Sequence, residues 1–415
     1  MVGSDSIEKP GTARIRNHDY IKATIRPIHP FPARMAPELA LRECGALPTG
    51  SIVLDPMAGS GTVLRVAAEY GHEALGFDLD PLAVIMARVW TTPIDTRCLR
   101  ETAVELARAA QDCAGRKVSL PWIDDDDETR RFVDYWFARE QQLQLRILSS
   151  EIATIDGPLG DALRVVLSRI IVTKDKGASL GRDVSHSRPH RVAVHSDFPV
   201  TDAFLRSAIR LALQLEKQPP PGRVTVRFGD ARKLEAVAAQ SIDAVITSPP
   251  YLNAIDYLRG HRLSLVWLGY RLADLRRIRA VAIGAERAPE PSADVQLANE
   301  LISSLHGISR LPRREHRMIQ RYALDLYDLV SEAYRVLRPG GKAVLVIGNS
   351  CLRGIFVKNA SLLIAAAERA GLRLVDEFER ELPPNRRYLP PPEATKIGGL
   401  RKRMRTESVL TFVRT

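Results

Sequence analysis

The spacing of apolar residues along this chain changes twice, and the changes divide it into three stretches. SIVLDPMAGSGT (51–62) begins as an unbroken apolar block and closes on an acidic residue and a glycine-rich turn, the pattern of a buried strand. VLRVAAEYGHE (63–73) follows at helical spacing, and EALGFDLD (73–80) reads as a second strand. Pro81 then opens another helix, because proline is tolerated in a first turn. Strand, turn, helix and strand in that order predict a parallel, doubly wound α/β sheet. From 96 to 222 the period becomes helical, with apolar residues three and four apart over 99–114, 128–156 and 201–217. The polar stretch TKDKGASLGRDVSHSRPHR (173–191) interrupts them, and the prolines at 219–221 close a mainly helical insertion. Strand patterns resume in RVTVRFGDA (223–231) and SIDAVITSPPY (241–251). YALDLYDLVSEAYRVLRPGGKAVLVIGNS (322–350) predicts a long amphipathic helix, a Pro-Gly-Gly turn and a strand, and ESVLTFVRT (407–415) an alternating last strand. The acidic run IDDDDE (123–128) reads as a solvated helix entry rather than a metal site.

Composition narrows this picture. At about 150 residues per domain, the length suggests two or three units, and 45% hydrophobic with 26% charged residues is an ordinary globular balance over 415 residues. No stretch approaches the roughly 18 apolar residues of a membrane span, and the first residues hold no apolar segment, so neither a membrane anchor nor a secretory signal is expected. Cys44, Cys98, Cys113 and Cys351 show no CxxC spacing, which excludes a disulfide scaffold and argues against structural zinc. Cys351, following a strand, reads as small core filler. The anomaly is charge: 60 Lys and Arg against 49 Asp and Glu give +11, which points to a polyanionic partner without saying which kind.

Three features carry candidate chemistry. In DPMAGSGT (55–62), Gly59 and Gly61 let backbone amides approach a ligand, with a helix N-terminus behind them. The turn lacks both the Gly-Lys-Ser/Thr of a phosphate loop and GxGxxG dinucleotide spacing. Asp78 closes the neighbouring strand, where a carboxylate is placed to accept from ribose hydroxyls, and Asp230 in FGDAR ends a later strand at the same expected edge. Directly after the apolar strand IDAVI comes TSPPY (247–251), whose prolines stiffen a loop presenting Ser248, free carbonyls and the Tyr251 ring.

DPMAGSGT, the acidic end at Asp78, GDAR and TSPPY together resemble, in order and spacing, the AdoMet-dependent DNA amino-methyltransferases of bacteria. The Ser-Pro-Pro-Tyr form is similar to the cytosine-N4 branch, whereas adenine enzymes more often carry Asp or Asn in first place. HPFPARMAPEL (29–39), PPYLNAIDYLRGHRLSLVWLG (249–269) and KRMRTESVLTF (402–412) extend the resemblance, which covers 1–95 and 223–415. It implies a class I AdoMet methyltransferase fold, Rossmann-like, with a seven-stranded, mostly parallel sheet and a mainly helical insertion. Residues 1–95 would be the cofactor-binding part of the catalytic domain, 96–222 an insertion that recognises or clamps DNA, and 223–415 the remainder.

By the same resemblance, S-adenosyl-L-methionine would lie across Asp55, Ala58, Gly59, Ser60, Gly61 and Thr62, with Asp78 on the ribose and Asp230 on the adenine amine. Phe31, Pro32 and Ala33 would line the methionine end. Ser248 and the Pro249 carbonyl would accept the N–H bonds of the target amine, in a loop completed by Pro250, and Tyr251 would stack on the flipped base. The implied reaction is methyl transfer to cytosine N4 in double-stranded DNA. Adenine-N6 methylation is the nearest alternative, with RNA methylation and a silent DNA-binding subunit behind it. A cognate restriction endonuclease, a cytoplasmic location on the nucleoid, and no metal belong to the same expectation. The absence of a Pro-Cys nucleophile disfavours a carbon-5 mechanism.

The sequence departs from the family pattern in where its insertions fall. The helical block precedes GDAR, and a second, basic insertion occupies 259–321 with Arg259, Arg262, Arg276, Arg277, Arg279, Arg310, Arg313, Arg314, Arg317 and Arg321. Arg259, Arg262, Arg276, Arg277, Arg313 and Arg314 are the candidate DNA contacts, chiefly to phosphate. His29 reads as a packing histidine, and Asp256 with Tyr257 as possible walls of the base pocket.

Overall fold

Seven strands, all but the edges rich in Val, Ile, Leu and Ala, hydrogen-bond into one sheet. The computed structural model describes residues 25–31, 34–112, 117–182, 189–220, 222–252, 257–285, 294–382 and 406–415. The strands are β1 (Ile52–Asp55), β2 (Glu73–Asp78), β3 (Val224–Phe228), β4 (Ile242–Thr247), β5 (Leu337–Gly348), β6 (Leu372–Glu381) and β7 (Thr406–Arg414). Their spatial order is β6-β7-β5-β4-β1-β2-β3. β1 through β5 pair in parallel, and β7 is antiparallel to both neighbours. That order, with its single reversed strand, is the class I AdoMet methyltransferase fold. The chain builds outward from β1 through β2 and β3, then returns to add β4 on the other side of β1. The carboxyl ends of β1 and β4 therefore flank the crevice in which open α/β sheets bind ligands.

Helices cover both faces. Along β4, Ala244 and Ile246 pack in the layer of α1 (Pro37–Gly45) and α2 (Thr62–Glu69), while Val245 between them faces α12 (Arg313–Val336) and α13 (Asn359–Arg369). This two-sided burial is why the strand is continuously apolar rather than alternating. α3 (Pro81–Thr91) follows β2, capped by the Asp80 side chain on the Leu82 N–H. The Pro-Gly-Gly segment forms an irregularity within β5: the register steps from Ile242↔Leu337 to Ala244↔Lys342, and Gly340 takes a left-handed φ of 77°.

The insertion is helical, with more breaks than its periodicity predicts. It comprises α4 (Thr96–Gln111), α5 (Asp127–Trp136), α6 (Arg139–Ala153), α7 (Gly157–Ile171) and α8 (Val200–Lys217). The acidic run does enter a helix, since the Asp126 carboxylate accepts from the Thr129 N–H at 2.7 Å. α7 begins at Gly157-Pro158, where proline in the first turn restarts the chain as a separate helix. The basic stretch 259–321 does not form one unit. α9 (Tyr257–Leu265), the short turn after it and α10 (Leu272–Val281) share the core of the helical block through Leu263, Val266, Trp267 and Leu275. Trp122 Nε1 donates to the Val266 carbonyl at 2.8 Å, and the Leu272 N–H to Thr129 Oγ1 at 3.0 Å. α11 (Val295–Ile302) packs instead in the sheet core beside α12.

Candidate functional site

The glycine turn is stitched to the strand beside it. The Ala58 N–H donates to the Phe77 carbonyl at 2.8 Å, and the Gly59 N–H to Asp78 Oδ2 at 2.8 Å. Asp78 Oδ1 accepts from the Asp80 N–H, also at 2.8 Å. Gly59 and Gly61 have φ of 50° and 87°; a Cβ on either would come within 3.0 Å of Phe31 or Ala87 respectively. Only glycine reconciles that conformation with that space. Phe31 thus lies against the turn, while Pro32 and Ala33 fall outside the described residues. Ser60 Oγ and Thr62 Oγ1 are buried with no hydrogen-bond partner among the described residues. Buried hydroxyls without partners are costly in a finished core and ordinary where a polar ligand supplies the bonds.

Asp55, at the end of β1, is 3% exposed. It accepts from the Met57 N–H at 3.2 Å and from Thr247 Oγ1 at 2.6 Å. The Thr247 bond crosses the crevice and joins the glycine turn to the first residue of TSPPY. Removal from water pushes the Asp55 carboxyl up to about 7, against the lowering effect of those two bonds. Burial likewise raises Asp78 to about 6, assisted by the neighbouring Asp80 charge. Asp230 behaves oppositely: burial pulls its carboxyl up, but the Arg232 guanidinium outweighs it and holds it below the ordinary range. Arg232 engages both Asp230 oxygens, at 3.0 and 2.6 Å.

TSPPY is braced from outside itself. Tyr322 O–H donates to the Pro250 carbonyl at 2.9 Å, and Ser350 Oγ to the Leu252 carbonyl at 2.7 Å. Tyr251 O–H donates to Glu407 Oε2 on β7 at 3.2 Å. Ser248 and Tyr251 are half-buried and Pro249 buried, so the loop presents polar groups at the crevice without being freely solvated. His261 on α9 pairs with the buried Asp80, and its ring lies 5.6 Å from that of Phe31, so the helix after TSPPY leans on the cofactor side. Thr247, Arg232, Tyr322, Glu407 and the His261–Asp80 pair escaped the sequence analysis. All of them lie within stretches quoted above, Arg232 in FGDAR and Glu407 in KRMRTESVLTF among them, but nothing in the linear pattern says which distant group each one meets.

The remaining candidates separate cleanly. Arg259, Arg313 and Arg314 are exposed and form no salt bridge among the described residues. Arg262 stacks on the Phe132 ring, 5.2 Å from its centre. Arg276 is paired with Glu128 and Arg277 with Asp274. His29 hydrogen-bonds Ser168 on α7 at 2.8 Å and is a packing residue. Cys351 is half-buried in the hairpin Ser350–Leu352/Ile355–Val357. Asp256 and the side chain of Tyr257 lie outside the described residues. Among the described residues no cluster of His, Cys, Asp and Glu could hold a metal ion, and no helix is long and apolar enough to cross a membrane.

The fold and its carboxylate-lined crevice define the class. Among proteins of recorded function, the chain is similar to the type II methyltransferase M.MvaI of Kocuria varians, 23% identical over 92% of this chain and 89% of that one. It is also similar to the type II methyltransferase M.AvaI of Nostoc sp., 27% identical over 78% of this chain and 73% of the relative. No family model matches. A TehB-like SAM-dependent methyltransferase from Corynebacterium glutamicum aligns over 96% of this chain and 94% of its own, at 11% identity and a TM-score of 0.31. The strand order, not that superposition, defines the fold.

Proposed function

We propose that this chain is an S-adenosylmethionine-dependent DNA methyltransferase that modifies the exocyclic N4 amine of a cytosine flipped out of duplex DNA. The observation that carries the reading is the Thr247–Asp55 hydrogen bond, which sets Ser-Pro-Pro-Tyr directly across the crevice from the glycine turn. The alignment with type II methyltransferases over most of both chains supports it.

The residues present fit the cofactor. Asp78 would take the ribose, Asp230 the adenine amine, and the partnerless hydroxyls of Ser60 and Thr62, with the Gly59–Gly61 backbone and Phe31, the rest. When bound, S-adenosylmethionine supplies a methyl group on a sulfonium. Everything else falls to the protein. The cytosine amine is a poor nucleophile because its lone pair is delocalised into the ring. Ser248 Oγ and the Pro249 carbonyl, accepting its two N–H groups, would turn that lone pair out of conjugation and hold it in line, so that alignment rather than a strong base lowers the barrier. Tyr251 would face the base, which has to leave the stack at a cost of a few kcal/mol. Serine in first place of the loop favours the cytosine reading over adenine. Arg259, Arg313 and Arg314 are the better phosphate contacts, because Arg276 and Arg277 are already paired and Arg262 is stacked. A cognate endonuclease and a nucleoid location complete the proposal.

Incubation with labelled S-adenosylmethionine and either duplex DNA or RNA, followed by digestion to nucleosides, tests it. Label in N4-methylcytosine is expected. Label confined to adenine would refute the cytosine assignment, and label in RNA but not DNA would refute the substrate.

A further inference from the structure

The long helix α12 reaches both halves of the site through residues that belong to no motif. Tyr322 is 1% exposed. Its hydroxyl donates to the Pro250 carbonyl at 2.9 Å, and the Leu252 backbone N–H is directed at the Tyr322 hydroxyl oxygen. One side chain thereby brackets Tyr251 from before and after. Proline has no N–H, so the Ser-Pro-Pro stretch cannot be fixed by its own amides, and its carbonyls depend on groups brought from elsewhere. Burial pushes the Tyr322 hydroxyl pKa up, so it remains a donor.

One turn along α12, Asp325 receives the Arg232 guanidinium, which also holds Asp230 and donates to the Val281 carbonyl at 2.5 Å. Arg321 donates to the Ala280 carbonyl at 3.1 Å. These bonds fix the turn after α10, where Gly284, with φ of 76°, lies so close that a Cβ would meet the Tyr251 carbonyl oxygen at 3.2 Å. The same helix turn therefore anchors the carboxylate ending the third strand, the segment packed on Tyr251, and the proline loop.

We infer that Tyr322 is a positioning residue, setting the Ser248–Tyr251 loop in register for methyl transfer, with Arg232 and Asp325 tying that register to the cofactor side. The inference deepens the proposed function and rests on it for the reaction, but not for the hold on the loop.

Tyr322→Phe keeps the ring and removes only the hydroxyl. Amide hydrogen exchange at Leu252 should accelerate while β4 is unchanged. Cofactor affinity should stay within about twofold, and kcat should fall on the order of 10–100-fold without a matching rise in KM for DNA, as expected for misplacement of a reacting group. Unaltered exchange overturns the inference whatever the turnover, and so does unaltered turnover beside faster exchange. A loss of cofactor affinity as large as the loss of turnover would reduce Tyr322 to a packing residue. In the unsubstituted protein the Leu252 amide should exchange more slowly than an unbonded loop amide. Rapid exchange there refutes the inference even if the variant does not fold. Absence of any methyl transfer to DNA by the unsubstituted protein would sink the proposed function, while the exchange measurement still decides whether Tyr322 holds the loop.

Discussion

Two carboxyls in the crevice titrate far above the ordinary carboxylate range, Asp55 at about 7 and Asp78 at about 6. In the cofactor-free protein both stay neutral to a higher pH than an ordinary carboxylate. Their contribution to stability is therefore fully present below the unfolded value of 3.8 and is lost as pH rises through 6 to 7. A ribose hydroxyl donates best to an ionised carboxylate, and a sulfonium favours negative charge nearby. Cofactor binding should thus strengthen over the same rise and release protons. Below pH 6, each group that has to ionise weakens affinity by about tenfold per unit, since one unit is ~1.4 kcal/mol. Calorimetric titration across this window in buffers of different ionisation enthalpy measures both effects, and a pH-independent affinity would remove the carboxylates from the site. Ser248→Ala acts at the other wall: turnover should drop by about 10–100-fold with cofactor affinity intact, and equal turnover would exclude Ser248 from the reaction.

At the scale of elements, a buried arginine joins the sheet to its helical block. Arg65 on α2 is 2% exposed; it pairs with Glu69 and donates to the carbonyls of Trp90 at 2.7 Å and Gln218 at 3.1 Å. It thus ties α2 to the ends of α3 and α8. Glu69→Ala would strand that charge among its carbonyls and should cost about 3–5 kcal/mol, read as a shifted denaturation midpoint. A loss below about 1 kcal/mol would mean that the backbone acceptors alone satisfy the guanidinium. Such joints are where the linear pattern is mute. β1, β2 and β4 are legible because an apolar run ends each time on Asp55, Asp78 or Thr247 and a turn follows. The break between α5 and α6 is not, because their apolar residues share one period across 128–156, and α7 falls in a stretch to which the periodicity assigns no element. The site divides in the same way. Gly59, Gly61, Asp78 and Ser248 announce themselves by local chemistry, whereas Tyr322, Arg232 and Glu407 acquire roles only when distant segments meet.

Across the whole molecule, the excess of +11 has no uniform distribution. On the helical block, Arg276 and Arg277 are already matched by Glu128 and Asp274. Around the start of α12, Arg310, Arg313, Arg314 and Arg317 are all exposed and form no salt bridge among the described residues. This end of α12 adjoins the loop through the hairpin after β5: Arg353 at its tip pairs with Glu315, and Ser350 at its base holds the Leu252 carbonyl. The unmatched charge is therefore beside the proposed base pocket, where a duplex has to be held while one nucleotide leaves the stack. If that duplex is the polyanion, replacing the four arginines with glutamine should weaken binding to unrelated sequences alike. For every phosphate that is no longer neutralised, the slope of log affinity against log salt should flatten by about 0.9. The Arg276→Gln, Arg277→Gln pair is the control. Its charges already have partners, so its slope should stay close to that of the parent. Equal flattening in both variants would extend the DNA onto the helical block, and no flattening in either would leave these six arginines without a nucleic-acid role.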